Sequence, residues 1–228
     1  MNPLDLYAKI ETLIGFDEQY EKLYKIYLEW LDTLHVKRIL DVGCGNGKFL
    51  AHLQAKHFNA QGIDRSVQMV ERAVRLGVNA STQELNELPQ ASFDCVVAIA
   101  DVINYIPPNE VASFFEAVNS VLKPGGYFLC DVNTLYGFES VADGVMCKET
   151  ETEFLCIEAT FEAKELLTNI TLFEKEADVY QKYQGSIMQY FHSQTFLKKI
   201  GIFKFCTTKA VSLFAKESDK TIMLLQKK

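Results

Sequence analysis

The sequence predicts a doubly wound α/β fold, a mostly parallel sheet with helices on both faces, plus a small antiparallel β insertion late in the chain. Three observations predict it. Short apolar runs alternate with helix-periodic segments through the first half, the order that builds a parallel sheet from strand–helix–strand units. One run, 93–100, is apolar at nearly every position, as in a strand covered on both faces. Beyond residue 146 the pattern changes to polar/apolar alternation, the mark of antiparallel strands with one wet face.

In chain order, 4–34 reads as helix, with Tyr20, Leu23, Tyr24, Tyr27, Leu28 and Leu31 at helical spacing and Gly15 dividing it in two. A strand follows at 38–42 and a helix at 47–55. Residues 59–64 form the second strand. Ser66 caps a helix carrying Met69, Val70, Ala73 and Leu76, and Gly77 ends it. Residues 78–81 are a short third strand and 93–100 the fourth. Val111, Phe114, Phe115, Val118, Val121 and Leu122 mark a helix, which Lys123-Pro124-Gly125-Gly126 stops. The fifth strand is 127–132. Inside the insertion, 146–190, strands are expected at 154–161, 166–173 and 179–188. A helix at 193–200 and two strands at 203–214 and 221–226, joined by a charged turn at 216–220, complete the chain. This divides it into a core with N-terminal helices (1–145), an inserted lid (146–190) and a closing segment (191–228).

The 228 residues suit one α/β domain with an insertion. Lys plus Arg number 23 against 30 acids, a net charge of −7, which argues against a broad nucleic-acid surface. No run reaches the ~18 apolar residues of a membrane span, and the N-terminus lacks the pattern of a signal peptide. The six cysteines include no C-x-x-C pair, and most lie in apolar runs, which implies a reducing cytosol without disulfides or zinc.

Asp41-Val42-Gly43-Cys44-Gly45-Asn46-Gly47-Lys48-Phe49 joins the first strand to the following helix. Glycines let backbone approach a ligand, and a helix start offers unpaired N–H groups. A dinucleotide fingerprint, G-x-G-x-x-G, needs a third glycine where Lys48 stands. A P-loop needs its leading glycine at Val42 and a hydroxyl at Phe49. What remains, Asp-x-Gly-x-Gly-x-Gly, resembles the first motif of class I S-adenosylmethionine-dependent methyltransferases. Ser92-Phe93-Asp94-Cys95-Val96-Val97 and Leu122-Lys123-Pro124-Gly125-Gly126 resemble the same family's entries to its fourth and fifth strands. Asp131-Val132-Asn133-Thr134-Leu135-Tyr136 resembles a small-molecule subset with an antiparallel insertion at this point.

The resemblance implies seven strands with the last antiparallel to the rest. It implies a donor site of Asp41, Gly43, Cys44, Gly45 and Gly47, with Asp64, an acid at the end of the second strand, on the ribose. Arg65, Met69, Gln83, Glu84 and Leu85 would surround the adenosyl part, Ala100 and Asp101 the methionine part, and Tyr7 would cap the pocket. Asp64 suits nicotinamide and methyl-donor ligands alike. Asn104, Tyr105, Asn133 and Tyr136 are the acceptor-side candidates. Tyr105, where relatives often carry histidine, and His192 are the candidate catalytic groups. Asp94 reads as structural.

The expected function is methyl transfer from S-adenosylmethionine, leaving S-adenosylhomocysteine, to a small acceptor through an oxygen, nitrogen or carbon nucleophile. The alternatives are a nicotinamide-dependent oxidoreductase, an aminopropyl transferase, and a non-catalytic donor-binding scaffold. No metal, nucleic acid or membrane partner is expected.

Overall fold

In the computed structural model, which describes residues 2–228, two sheets share one chain. The core strands are β1 (Arg38–Val42), β2 (Asn59–Ile63), β3 (Ala80–Ser81), β4 (Phe93–Ala98) and β5 (Leu122–Asn133). Helices α3 (Lys48–Ala55), α4 (Val67–Arg75) and α5 (Val111–Val121) connect them. Together with β10 (Phe203–Val211) and β11 (Lys220–Lys227) they form a seven-stranded sheet in the order β10-β11-β5-β4-β1-β2-β3. β1 to β5 run parallel, and β11 is antiparallel to both of its neighbours, β5 and β10. This is the expected doubly wound sheet, its last strand reversed.

Alternation along the strands sends side chains to two separate cores. Leu40, Val42, Val96, Ala98, Phe128 and Cys130 face α5 and α6 (Gln194–Lys199). Ile39, Cys95, Val97 and Leu129 face α2 (Asp17–Thr33), α3 and α4. The sheet is apolar on both sides, as the continuous run at 93–100 requires.

α1 (Pro3–Ile14) belongs to neither core. Asn2 caps it, and Gly15, in the left-handed region at φ 78°, ends it. Its apolar face, Leu6, Ile10 and Ile14, packs on Leu155, Ile170, Leu172 and Ile187 of the second sheet. That sheet is antiparallel, ordered β6 (Gly144–Glu149), β7 (Glu153–Glu162), β8 (Glu165–Glu176) and β9 (Val179–Tyr190).

The structure corrects several element assignments. The insertion has a fourth strand, β6, which is largely exposed and so lacks the apolar alternation that marks the others. β5 runs on from Leu122, because Lys123-Pro124-Gly125-Gly126 forms an irregular bulge in the ladder with β4. β3 is reduced to Ala80–Ser81, and β10 ends at Val211. Lys220 does not belong to a solvated turn. It begins β11 and is buried.

Candidate active site

The parallel strands end against one large cavity of about 1090 Å³, as expected at the carboxyl edge of such a sheet. Its wall combines the glycine turn, the segment after β4, the end of β5, the inner face of the insertion and α1.

The three glycines of the turn all have positive φ, but they do different work. A Cβ on Gly47 would lie 2.7 Å from Val78 and 2.8 Å from Ala73, so this glycine lets α3 pack against α4. One on Gly43 would lie 2.6 Å from Val102. One on Gly45 would meet no protein atom within 4 Å. Gly43, Cys44 and Gly45 line the cavity and Gly47 does not.

Beneath the turn, Asp41 is fully buried and neither carboxylate oxygen has a partner. Burial, then the nearby Asp64 charge, holds its carboxyl well above the usual carboxylate range. Asp64 accepts the Gly45 N–H at 2.9 Å on one oxygen and the Ser66 N–H at 2.8 Å on the other. Burial raises its pKa, and these two N–H groups oppose the rise. A carboxylate has about four acceptor positions, so each oxygen keeps a free lone pair beside the cavity. Arg65, Met69, Gln83, Glu84 and Leu85 continue the wall, with Arg65 and Glu84 at the exposed mouth.

Beyond β4, Ala100 and Asp101 are both held in the left-handed region, at φ 63° and 58°. Asp131 holds them there, its two oxygens accepting the Ala100 N–H (2.8 Å) and the Asp101 N–H (2.9 Å). Lys220 fills the centre of this group, donating to Asp101 (2.6 Å), Asp131 (3.1 Å) and Asn133 (2.8 Å). The two carboxylates outweigh burial and raise the Lys220 pKa, so it stays charged. Gln189 of β9 donates to the other Asp101 oxygen at 2.8 Å. Asp101, Asn133, Gln189 and Lys220 all line the cavity.

Tyr7 and Tyr105 also line it, together with Tyr20. The Tyr7 and Tyr20 hydroxyls lie 3.4 Å apart. Burial, first among the causes, pushes the Tyr7 phenol up to about 12 and the Tyr105 phenol higher than its usual range. At neutral pH both are protonated, and Tyr105 can orient a group but is no resident base.

Asp41, beneath the turn, and Gly47 are not in the cavity wall, and three further candidates also lie outside it. His192 does not line the cavity. It is buried, with Nε2 2.9 Å from the Ile106 carbonyl and its ring stacked on Phe196. Burial lowers its pKa more than the Ile106 and Ile103 carbonyls raise it, so it is a neutral ring supporting the segment after β4 from behind. Asn104 is fully buried, donating to the Tyr190 carbonyl and accepting the Asn133 N–H. It ties that segment to β5 and the insertion. Tyr136 sits at the start of the turn over Gly137–Ala142 and is not in the wall.

Sequence reasoning missed Asp131, Gln189 and Lys220. It also missed Glu11, which accepts two 2.8 Å contacts from the Asn46 amide and so joins α1 to the glycine turn. A buried charge at a strand end, such as Lys220, needs partners from elsewhere in the fold, and no local spacing announces them.

Against this geometry the comparisons with known proteins are specific. Residues 39–126 match the family model described as a methyltransferase domain. That span is similar to a methyltransferase domain. The chain is 32% identical over 142 residues to YqeM of Bacillus subtilis (strain 168), whose methyltransferase name is provisional, covering 56% of this chain and 58% of that one. It is 28% identical over 134 residues to the ubiquinone biosynthesis O-methyltransferase of Paracidovorax citrulli (strain AAC00-1), covering 51% and 55%. The chain thus spans about half the length of the curated relatives it matches. Among solved structures, an S-adenosylmethionine-dependent methyltransferase from Clostridium acetobutylicum ATCC 824 superposes with a TM-score of 0.80 at 21% identity, covering 95% of both chains. The sugar N-methyltransferase KedS8 from Streptoalloteichus sp ATCC 53650 does so at 0.70 and 18%, covering 99% and 93%. These structural likenesses show a shared fold over nearly the whole chain.

Proposed function

We propose that this chain transfers a methyl group from S-adenosylmethionine to a small-molecule acceptor. The observation that carries the reading is Asp41, a fully buried carboxylate with no partner beneath the glycine turn of a methyltransferase domain. A buried charge is costly unless paired, and an ammonium group such as the donor's would supply the missing partner. The other residues fit the same ligand. Gly45 leaves open space beside the cavity, and Asp64 keeps acceptor capacity for ribose hydroxyls. Gln83, Glu84 and Leu85 would flank the adenine.

When bound, S-adenosylmethionine supplies a methyl group already made electrophilic by its sulfonium. The chain's own residues then need mainly to hold the acceptor in line and keep water out. Tyr105, Asn133, Asp101 and Gln189 line the same cavity and would orient the acceptor. Met146, Ile157, Ala159 and Leu166 of the insertion would cover it as a lid. Similar folds include an amino pentose methyltransferase and a magnesium protoporphyrin IX methyltransferase, so the lid is where acceptor choice would be written.

Calorimetric titration with S-adenosylmethionine, S-adenosylhomocysteine and NAD tests the donor half. Binding of the first two without NAD is expected, and binding of NAD alone would overturn the reading. Incubation with methyl-labelled donor and a small-metabolite extract tests the acceptor half, with label expected in the low-molecular-weight fraction.

A further inference from the structure

On the outer face of the insertion two cysteines stand directly opposite one another. Cys147 of β6 and Cys156 of β7 are register partners in an antiparallel ladder. Opposed residues in such a ladder have Cα atoms about 4.5 or 5.5 Å apart, within the ~4.4–6.8 Å that a disulfide spans. The adjacent pair, Met146 and Ile157, lines the cavity, so strand alternation turns both thiols outward. Cys147 is exposed and Cys156 half-buried. The Cys147 thiol opposite, ahead of burial, pushes the Cys156 thiol up to about 11. The remaining cysteines differ. Cys44, Cys95 and Cys130 are buried, and Cys206 is exposed on β10, whose partner strand carries no cysteine.

We propose that Cys147 and Cys156 form a dithiol site for thiol–disulfide exchange with small-molecule disulfides. The exposed Cys147, as thiolate, attacks one sulfur of the small disulfide. A mixed disulfide forms and one small thiol leaves. Cys156, on losing its proton, then attacks the Cys147 sulfur and expels the second small thiol. The protein loses two electrons and two protons, and the small disulfide is reduced to two thiols. The ladder already sets the Cα spacing that the crosslink needs.

The product crosslink has a definite mechanical effect. β6 is an edge strand, bonded only to β7, and its Gly144, Val145 and Met146 form part of the cavity wall. The crosslink fastens this wall to the rest of the sheet from outside, without occupying the cavity. It depends only on the insertion's register and stands apart from the methyl-transfer reading.

The test uses the full chain, reduced, then incubated with oxidised glutathione, blocked and mapped by mass spectrometry after proteolysis. A Cys147–Cys156 linked peptide pair should dominate in monomeric protein, while Cys206 carries only a glutathione adduct. Cys156→Ser should stop at an adduct on Cys147. A trivalent arsenical, phenylarsine oxide, reads the same spacing without redox chemistry. It should bind one per chain in wild type and at least tenfold more weakly in folded Cys147→Ser or Cys156→Ser. A stable glutathione adduct on Cys147 of wild type with Cys156 free, an intermolecular crosslink, or equal arsenical binding by wild type and both variants would overturn the proposal.

Discussion

Asp41 is buried, unpaired and displaced upward in pKa, and the sign of its effect on stability follows. Above the ordinary carboxylate pKa of about 3.9 the unfolded chain has released this proton while the folded chain still holds it. Stability therefore falls as pH rises from there toward the raised folded pKa, because the folded state binds more protons than the unfolded state. Asp41→Asn should abolish this loss, so the unliganded variant should melt at or above the wild-type temperature at pH 8, by scanning calorimetry. The same change should weaken S-adenosylhomocysteine binding by roughly 1.5–3 kcal/mol, the usual range for a hydrogen bond to a charged group. Lower stability with unchanged binding would show that Asp41 is structural. The glycines separate in the same way. Gly45→Ala introduces a left-handed alanine, at about 1–2 kcal/mol, but its methyl group meets only open space, so titration should find donor binding hit harder than folding. Gly47→Ala drives its methyl into Ala73 and Val78, and a urea titration should register chiefly lost stability. The sequence motif alone groups Gly43, Gly45 and Gly47 together. Only packing around each one separates Gly45, with open space beside it, from Gly43 and Gly47, which let neighbouring segments approach.

Among the elements, β1, β4 and the 127–132 part of β5 were legible because each is a short apolar run, and the helices because each carries a face or a cap. Ser66, predicted as a cap, accepts the Met69 N–H, and Gly15 ends α1 as its conformation allows. What the sequence concealed was polar and long-range. Lys220 sits in a charged stretch that reads as solvated, yet it joins the ends of β11 and β5 to the segment after β4 through Asp101, Asp131 and Asn133. His192 looked catalytic because lone histidines attract that reading, but its ring supports a carbonyl inside a packed layer. The Lys220 group makes a sharp prediction. Lys220→Met leaves Asp131 buried and Asp101 close to it with no cation between them, and losing one partner of a buried ionic group costs about 3–5 kcal/mol. The like charges then favour retaining a proton, so the variant should regain stability as pH falls from 8 to 5. Lys220→Arg should keep most of it. Urea titrations at the two pH values measure this, and equal stability of Lys220→Met and wild type at pH 8 would remove the group's structural importance.

For the molecule as a whole, the arrangement of α1 decides how the cavity opens. On one side α1 is part of the insertion's core, through Leu6, Ile10 and Ile14 and the Lys9–Glu174 pair at 2.5 Å. On the other it meets the donor side through polar contacts, Glu11 to Asn46 and Asp5 to the Ser66 hydroxyl at 2.6 Å, and it touches the core through the Tyr7–Tyr20 hydroxyl pair and through Tyr105, which packs on its apolar cluster. Apolar burial is strong, and these few half-buried polar contacts contribute less. The plane of easiest separation therefore runs between α1 and the glycine turn, and α1 with the antiparallel sheet forms one cover over the cavity. Leu4, Tyr7, Glu11 and Ile14 of that helix all line the cavity, so a bound donor would join the two sides of this plane. Hydrogen exchange by mass spectrometry should then show S-adenosylhomocysteine slowing exchange in α1, in β6 and in the glycine turn together, while α6, none of whose residues line the cavity, stays unchanged. Glu11→Gln, which weakens the joint without touching the insertion's core, should raise exchange in α1 and β6 of the free protein alike. Protection confined to the glycine turn, with α1 and β6 responding independently of each other, would mean that the helix and the insertion do not move as one cover.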